Sequence, residues 1–79
     1  MTSSPLFLDI ETDGLNPSTI WMAVTRQDGQ SKVHYSADTL SDALQGDFRV
    51  IGHNLIGFDL PVLKRLWGLS VASEKVGID

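Results

Sequence analysis

The chain has 79 residues, of which 42% are hydrophobic and 20% are charged, and its formal net charge is −4. This length allows one small domain at most, because a chain of this size buries only roughly 60–65% of its unfolded surface. The absence of cysteine excludes disulfides and thiolate zinc sites. The acidic balance argues against a broad surface for duplex DNA, since phosphate neutralisation supplies most of that affinity. Any contact with nucleic acid should be local or mediated by bound cations.

The N-terminal segment shows no targeting signal. It has no basic residues ahead of its first apolar run, and Asp9 interrupts that run. We therefore expect neither a signal peptide nor a membrane span, and a cytoplasmic location.

Three β-prone segments open the chain, at residues 6–11, 19–27 and 31–36. Asp28 and Gly29 lie between the second and third segments, and this dipeptide favours a two-residue hairpin turn. These segments predict a three-stranded antiparallel meander.

The second half of the chain alternates between helix and strand. The predicted elements are a short helix capped by Asp38 and ended by Gly46, a strand at 48–52, a loop at 53–57 and an amphipathic helix with Pro61 in its first turn. Residues 76–79 could begin one more strand. The order β-β-β-α-β-α indicates an α/β fold in a single domain over residues 1–79. Trp21 and Trp67 are expected in its core.

Asp9 and Glu11 stand two residues apart on the first predicted strand, so both side chains leave the same face. Their Cα atoms would lie roughly 6.6 Å apart, and two ionised carboxylates at that distance repel by about 2.5 kcal/mol at an intermediate dielectric. A divalent cation such as Mg²⁺ or Mn²⁺ would offset this repulsion. The alternative is a solvated strand face with no chemical role.

Asp59 is a third candidate, placed where the loop after the fourth strand enters a helix. The structural alternative is an ordinary helix N-cap, which an aspartate followed by Pro61 suits well. His53 and Asn54 precede it, and either could orient a ligand or simply bond to backbone.

These residues together resemble a known pattern. The segment 7–12 (FLDIET) resembles the first motif of the DEDD exonuclease superfamily, and the segment 53–63 (HNLIGFDLPVL) resembles the second. The order and spacing of the elements between them also agree, and the resemblance covers essentially the whole chain. The similarity is greatest to the N-terminal proofreading domain of family A phage DNA polymerases. It implies an RNase H-like fold and a metal-dependent 3′–5′ exonuclease of DNA replication.

The resemblance implies a role for each matching residue. Asp9 would bind two metal ions, Mg²⁺ or Mn²⁺, with Glu11 on one of them and Asp59 on the other through water. Such a pair of ions activates a water and stabilises the leaving 3′-oxygen. The substrate would be the 3′ end of single-stranded DNA, and the product a nucleoside monophosphate. The residues implied in substrate binding are Thr12, Leu15, Asn54 and Phe58.

The chain departs from the pattern in its last third. The superfamily has a third motif, a Tyr or His followed by a fourth carboxylate, and only Glu74 and Asp79 follow Asp59 as acids here. Neither fits that motif, so we expect an RNase H-like fold truncated before its third motif, without a complete fifth strand and inactive by itself. The fourth strand would then keep an open edge, which a protein partner would cover.

Three interpretations follow from this departure. The chain could be one part of a split or truncated proofreading polymerase, active when a second chain brings the third motif. It could be a small phage-type regulator that binds a host or viral protein through the exposed edge. It could also be a remnant without activity. A phage-infected bacterial cell is the expected setting.

Overall fold

The computed structural model describes residues 4–79, which form an α/β domain with a five-stranded mixed sheet and two α-helices. The elements in chain order are β1 (Leu6–Thr12), β2 (Ile20–Gln27), β3 (Gln30–His34), α1 (Ala37–Ala43), β4 (Val50–Ile51), a π-helical turn (Leu55–Asp59), α2 (Leu60–Trp67), a short 3₁₀ turn (Ser73–Lys75) and β5 (Val76–Ile78). Within residues 4–79, no helix is long and apolar enough to cross a membrane.

The strands lie in the order β3-β2-β1-β4-β5. The pairs β1–β2 and β2–β3 are antiparallel, whereas β1–β4 and β4–β5 are parallel. The α/β class and the antiparallel meander are thereby confirmed. Because β1 and β4 run in the same direction, their carboxyl ends point toward the same edge of the sheet, where α/β folds commonly place their sites, although β4 already ends beside Phe7.

The turn between β2 and β3 has the predicted form. Asp28 and Gly29 have φ values of 54° and 78°, the left-handed conformation that a type I′ hairpin turn needs at both central positions. This turn sets the register of the hairpin and keeps Val24 opposite Val33.

The two faces of the sheet differ. Helices α1 and α2 cover one face, and the core between them is made of buried aliphatic side chains with one phenylalanine: Leu6, Leu8, Ile10, Ile20, Ala23, Leu40, Phe48, Val50, Leu55, Leu60, Val62 and Leu63. The opposite face has apolar side chains that stay half exposed, with Phe7 and Val33 at 49% and Ile78 at 63%. We call this second surface the bare face. The cross-strand partners show that Asp9 and Glu11 also belong to it.

The further strand that residues 76–79 could begin is present, and the expectation of an open edge on β4 is wrong. Val76 pairs with Val50 and Ile78 pairs with Ile51, so β5 covers the edge of β4 that was expected to stay open. The Gly52 N–H adds a hydrogen bond of 3.1 Å to the Ile78 carbonyl. A short apolar segment suffices to form β5 because β4 alone provides its backbone pairing partners. A protein partner for the β4 edge is therefore no longer needed to complete this sheet.

Several predicted boundaries move by a few residues. Strand β4 is shorter than the predicted 48–52, and α1 begins at Ala37 behind Ser36, which leaves Asp38 in the first turn rather than at the cap. Helix α1 ends at Ala43, before Gly46. Trp21 is 59% exposed, so its predicted core position is wrong.

Candidate functional site

Asp59 ends a π-helical turn that leads directly into α2. The turn begins after Asn54, which adopts a left-handed φ of 53°. The Asn54 carbonyl accepts the N–H of Phe58 at 2.9 Å and the N–H of Asp59 at 3.4 Å, and this second bond is the wide spacing of a π-turn. Residues 55–57, predicted as loop, are thus helical. Single π-turns are often found at functional sites.

Two glycines allow the chain to take this path. A Cβ at Gly52 would stand 2.6 Å from the Leu8 carbonyl oxygen and 2.7 Å from Leu55 Cδ2, so only glycine lets the chain leave β4 this close to β1. A Cβ at Gly57 would collide with the Asn54 side chain. The turn that positions Asp59 therefore depends on close backbone packing.

The Asp59 carboxyl group is buried and incompletely satisfied. The residue is 5% exposed, and its Oδ2 has no hydrogen-bond partner among residues 4–79. It makes no capping bond to the helix, so the N-cap alternative is wrong. Burial raises the pKa of Asp59 to about 6, and the charge of Asp9 adds to the increase. An unpartnered buried carboxylate oxygen is uncommon and costs free energy in the fold.

The surroundings of Asp59 explain how it reaches β1. On β1, strand β4 pairs with Leu6 and Phe7 alone, so β4 does not cover the side of β1 beyond them. The peptide N–H of Ile10 faces the Asp59 carboxyl there and lowers its pKa against the larger effects of burial and Asp9. The site thus lies in the corner where β4 ends beside β1.

Two further charged side chains act on this corner. His53, exposed just after β4, lowers the pKa of Asp59 by its charge, whereas Asp79 raises it. The Asp79 Oδ1 accepts the N–H of Ile56 at 2.9 Å. Sequence patterns indicated Asp79 as part of a possible strand and did not fit it to the third motif, and the 23 residues that separate it from Ile56 hide this contact.

The structure brings together some of the predicted metal ligands. Asp9 and Asp59 lie close enough for the charge of one to shift the pKa of the other, and Glu11 does not contribute to that shift. Within residues 4–79, no three His, Asp or Glu side chains are grouped so that they could hold a metal ion. The arrangement is a two-carboxylate corner. Its donor chemistry fits a hard divalent cation, since the orphan oxygen of Asp59 is the kind of ligand that Mg²⁺ and Mn²⁺ take.

The loop after β1 is organised by Asp13. Its carboxylate accepts the Ser18 N–H at 3.0 Å, the Ser18 hydroxyl at 2.8 Å and the Thr19 N–H at 3.1 Å. The bonds with Ser18 and Thr19 lower the pKa of Asp13. This carboxylate is fully engaged within its own loop, so it serves the loop rather than a ligand.

The predicted substrate residues in that loop lie at the surface. Leu15 is 95% exposed, and the Thr12 hydroxyl donates to the Gly14 carbonyl at 2.9 Å. Arg65 on α2 donates to the Pro17 carbonyl at 2.6 Å and so ties the loop to the helix. Leu15 is therefore exposed to solvent on a loop that Arg65 holds in place.

The other two predicted substrate residues flank the π-turn. Asn54 is exposed and begins the turn, while Phe58 is half buried and packs against the core. Phe58 therefore has a structural role beside Asp59, whatever it contacts outside the chain.

No family model, curated protein or solved structure matches this chain in the three comparisons with known proteins. Its function must be argued from the motifs and from the geometry of the site.

Proposed function

We propose that this chain carries the first two carboxylate motifs of a two-metal 3′–5′ exonuclease domain of the RNase H-like type, as in the proofreading part of a phage-type DNA polymerase. A second chain or segment would supply the missing fourth carboxylate. In this proposal the chain binds divalent metal and the 3′ end of single-stranded DNA, and does not cleave DNA unaided.

One observation carries the proposal: the buried carboxylate of Asp59 has an unpartnered oxygen and lies beside Asp9. A small domain with a marginal stability would not retain two neighbouring carboxylates, one of them desolvated, without a compensating ligand. A bound cation would offset both the repulsion and the lost hydration. Perturbed acids placed in this way are typical of functional sites.

The architecture supports the same proposal. The two segments with the motif-like sequences end up at one corner, because β1 brings Asp9 there and the π-turn brings Asp59. They are 50 positions apart in the chain. Both segments reach the place where the short strand β4 ends beside β1, and the region beyond strand ends is where α/β folds commonly place their sites.

The side chains at this corner suggest a division of roles. Asp59 would hold a cation from the protein interior, while Asp9 would hold it from the open side. A bound Mg²⁺ or Mn²⁺ would supply Lewis acidity and a lowered pKa for its water. Leu15 and Thr12 stand on the loop that follows Asp9, where an apolar side chain could contact a terminal base. Glu11 would join the site only if its exposed side chain turned toward Asp9.

A second candidate function rests on the bare face. Phe7, Val33 and Ile78 keep about half or more of their area exposed on one surface, which is unusual for side chains of this kind in a small domain. A regulatory protein could use this face to bind a host or viral protein. The two carboxylates of the acidic corner would then be an inherited structural feature that binds no metal.

The experiment that separates the two functions is DNA binding measured by fluorescence anisotropy. A labelled single-stranded oligonucleotide with a free 3′ end is titrated with the chain in Mn²⁺ and again in EDTA. We expect binding that depends on Mn²⁺ and that Asp9→Ala and Asp59→Asn each weaken at least tenfold. Asp42→Asn is the matched control, because Asp42 is an exposed acid on α1.

Two results would overturn the proposed exonuclease role. Binding that is equal in Mn²⁺ and EDTA would show that the carboxylates hold no functional metal. A loss of binding in Asp42→Asn as large as that in Asp59→Asn would show that general charge is responsible.

A further inference from the structure

We propose that Asp79 is a positioning residue for Asp59, which it controls by accepting the Ile56 N–H and thereby fixing the π-turn. This inference rests on the proposed function and deepens it, since it assigns a role in the same corner to a residue outside both motifs. Asp79 is not proposed as a metal ligand.

Two consecutive residues of the last strand region hold both ends of one short segment. The Ile78 carbonyl accepts the Gly52 N–H at 3.1 Å, and the Asp79 carboxylate accepts the Ile56 N–H at 2.9 Å. The segment 52–56 connects β4 to the π-turn. Its course is therefore fixed from outside by β5, and with it the start of the turn that ends in Asp59.

The Ile56 N–H needs such a partner from outside. It belongs to the first turn of the continuous helical stretch 55–67, where backbone N–H groups have no acceptor within the helix. The Asp79 carboxylate supplies the acceptor, and its negative charge also suits a helix N-terminus. This is a helix cap supplied by a residue 23 positions further along the chain.

The bond between Asp79 and Ile56 affects the orientation of Asp59 because the turn that joins Ile56 to Asp59 is a π-turn. A π-turn holds one residue more than an α-helical turn, and one residue corresponds to a rotation of about 100° around the helix axis. If the turn relaxed to an α-helical register, the Asp59 side chain would swing away from Asp9. The bond from Asp79 opposes this relaxation because it fixes the first residues of the turn.

The acceptor oxygen, rather than the charge, is the feature that positioning requires. Asp79 adds a third negative charge near Asp9 and Asp59, and this charge raises the pKa of Asp59 further. An asparagine at position 79 would keep an acceptor oxygen in place and remove the charge. An alanine would remove both.

The test compares Asp79→Ala with Asp79→Asn in the full chain. Mn²⁺ affinity is measured by electron paramagnetic resonance, and hydrogen exchange of the Ile56 amide is measured by NMR. We expect Asp79→Ala to weaken Mn²⁺ binding at least fivefold and to speed Ile56 exchange about tenfold. Asp79→Asn should stay within twofold of the unmodified chain in both. Glu74→Gln, an exposed acid in the neighbouring 3₁₀ turn, is the control.

Two results would overturn the positioning role. If Asp79→Ala keeps the full Mn²⁺ affinity, the contact with Ile56 does not matter for the corner. If Asp79→Asn falls as far as Asp79→Ala, the carboxylate acts through its charge or as a ligand.

The NMR chemical shift of the Ile10 amide proton tests the inference without metal, because the Ile10 N–H faces the Asp59 carboxyl group in the metal-free chain. A failure of the proposed function can therefore be told apart from a failure of the positioning role. If the unmodified chain binds no Mn²⁺, the proposed function fails. An Ile10 shift that changes in Asp79→Ala but not in Asp79→Asn would still support positioning, and no change in either variant would overturn it.

Discussion

Two buried polar side chains lie beside different strands of the sheet, and the fold treats them differently. His34, at the end of β3, is 3% exposed, with Nε2 2.8 Å from the Thr25 hydroxyl and Nδ1 3.2 Å from the Thr39 hydroxyl. Asp59, at the corner of β1 and β4, is 5% exposed and has one oxygen with no partner. The His34 ring has a hydrogen-bond partner at both nitrogens. Within the described residues, the Asp59 carboxyl group lacks a partner at one oxygen and is also subject to the like charge of Asp9.

This difference separates structure from function. A buried group with all its partners stabilises and specifies the fold, so the cluster of His34, Thr25 and Thr39 needs no ligand. A buried carboxylate that lacks a hydrogen-bond partner lowers the stability of the fold. Such a group is retained where a ligand supplies the missing partner. Burial is the main cause of both pKa shifts and favours the neutral form of each residue, so the pKa of His34 is lowered and that of Asp59 is raised.

The largest expected effect comes from the glycine that shapes the acidic corner. Gly52→Ala would place a methyl group against the Leu8 carbonyl and the Leu55 side chain, where no room exists. We expect the free energy of unfolding to fall by about 3 kcal/mol, as for overpacked cores. Urea unfolding followed by circular dichroism measures this change. Gly29→Asn is the control, since nothing lies within 4 Å of its added Cβ and asparagine tolerates its φ of 78°. Equal losses in the two variants would contradict the packing account.

The next effect tests the satisfied cluster. His34→Leu would leave the buried Thr25 hydroxyl without its partner, at a cost of about 2 kcal/mol in the free energy of unfolding. Metal binding at the corner of β1 and β4 should not change. Thr39→Val breaks only the longer of the two bonds and should cost about 0.5–1 kcal/mol. Loss of Mn²⁺ binding in a folded His34→Leu protein would show that the two regions are not independent.

The smallest effect concerns pH and has opposite signs in the two regions. A carboxyl pKa raised from 3.8 to about 6 lowers stability as the pH rises from about 4 to 6. A histidine pKa lowered from 6.5 lowers stability as the pH falls below 6.5. Asp59→Asn should remove the first slope and raise stability at pH 7 by about 1 kcal/mol, because the unpartnered buried amide offsets most of the roughly 3 kcal/mol that the pKa shift represents, and it should abolish metal binding. Thermal unfolding between pH 4 and 8 checks this. An unchanged profile in Asp59→Asn would mean that its carboxyl group is hydrated in the fold.

Sequence patterns predicted the sheet better than the site. Alternation and the Asp28–Gly29 turn are local signals, so the meander and α/β order followed from them. The sequence predicted a possible strand at residues 76–79, but so short a segment carries too little pattern to predict that Ile78 pairs with Ile51. The motifs identified Asp9 and Asp59, but the orphan oxygen, the π-turn and the contact with Asp79 depend on tertiary packing. The two-residue spacing correctly placed Glu11 on the same sheet face as Asp9, and its role at the corner stays a prediction.

The central claim, that Asp9 and Asp59 form a metal-binding corner, is tested most directly by NMR of the isotope-labelled chain. Mg²⁺ and then Mn²⁺ are titrated while the backbone amides are followed, with Asp9→Ala as a folded comparison. We predict shifts with Mg²⁺ and broadening with Mn²⁺ confined to residues around Asp9, Asp59 and Ile10, with the His34 region unchanged, and neither effect in Asp9→Ala. A folded spectrum that ignores both ions, or an Asp9→Ala chain that unfolds, would contradict the account and leave the corner a structural feature.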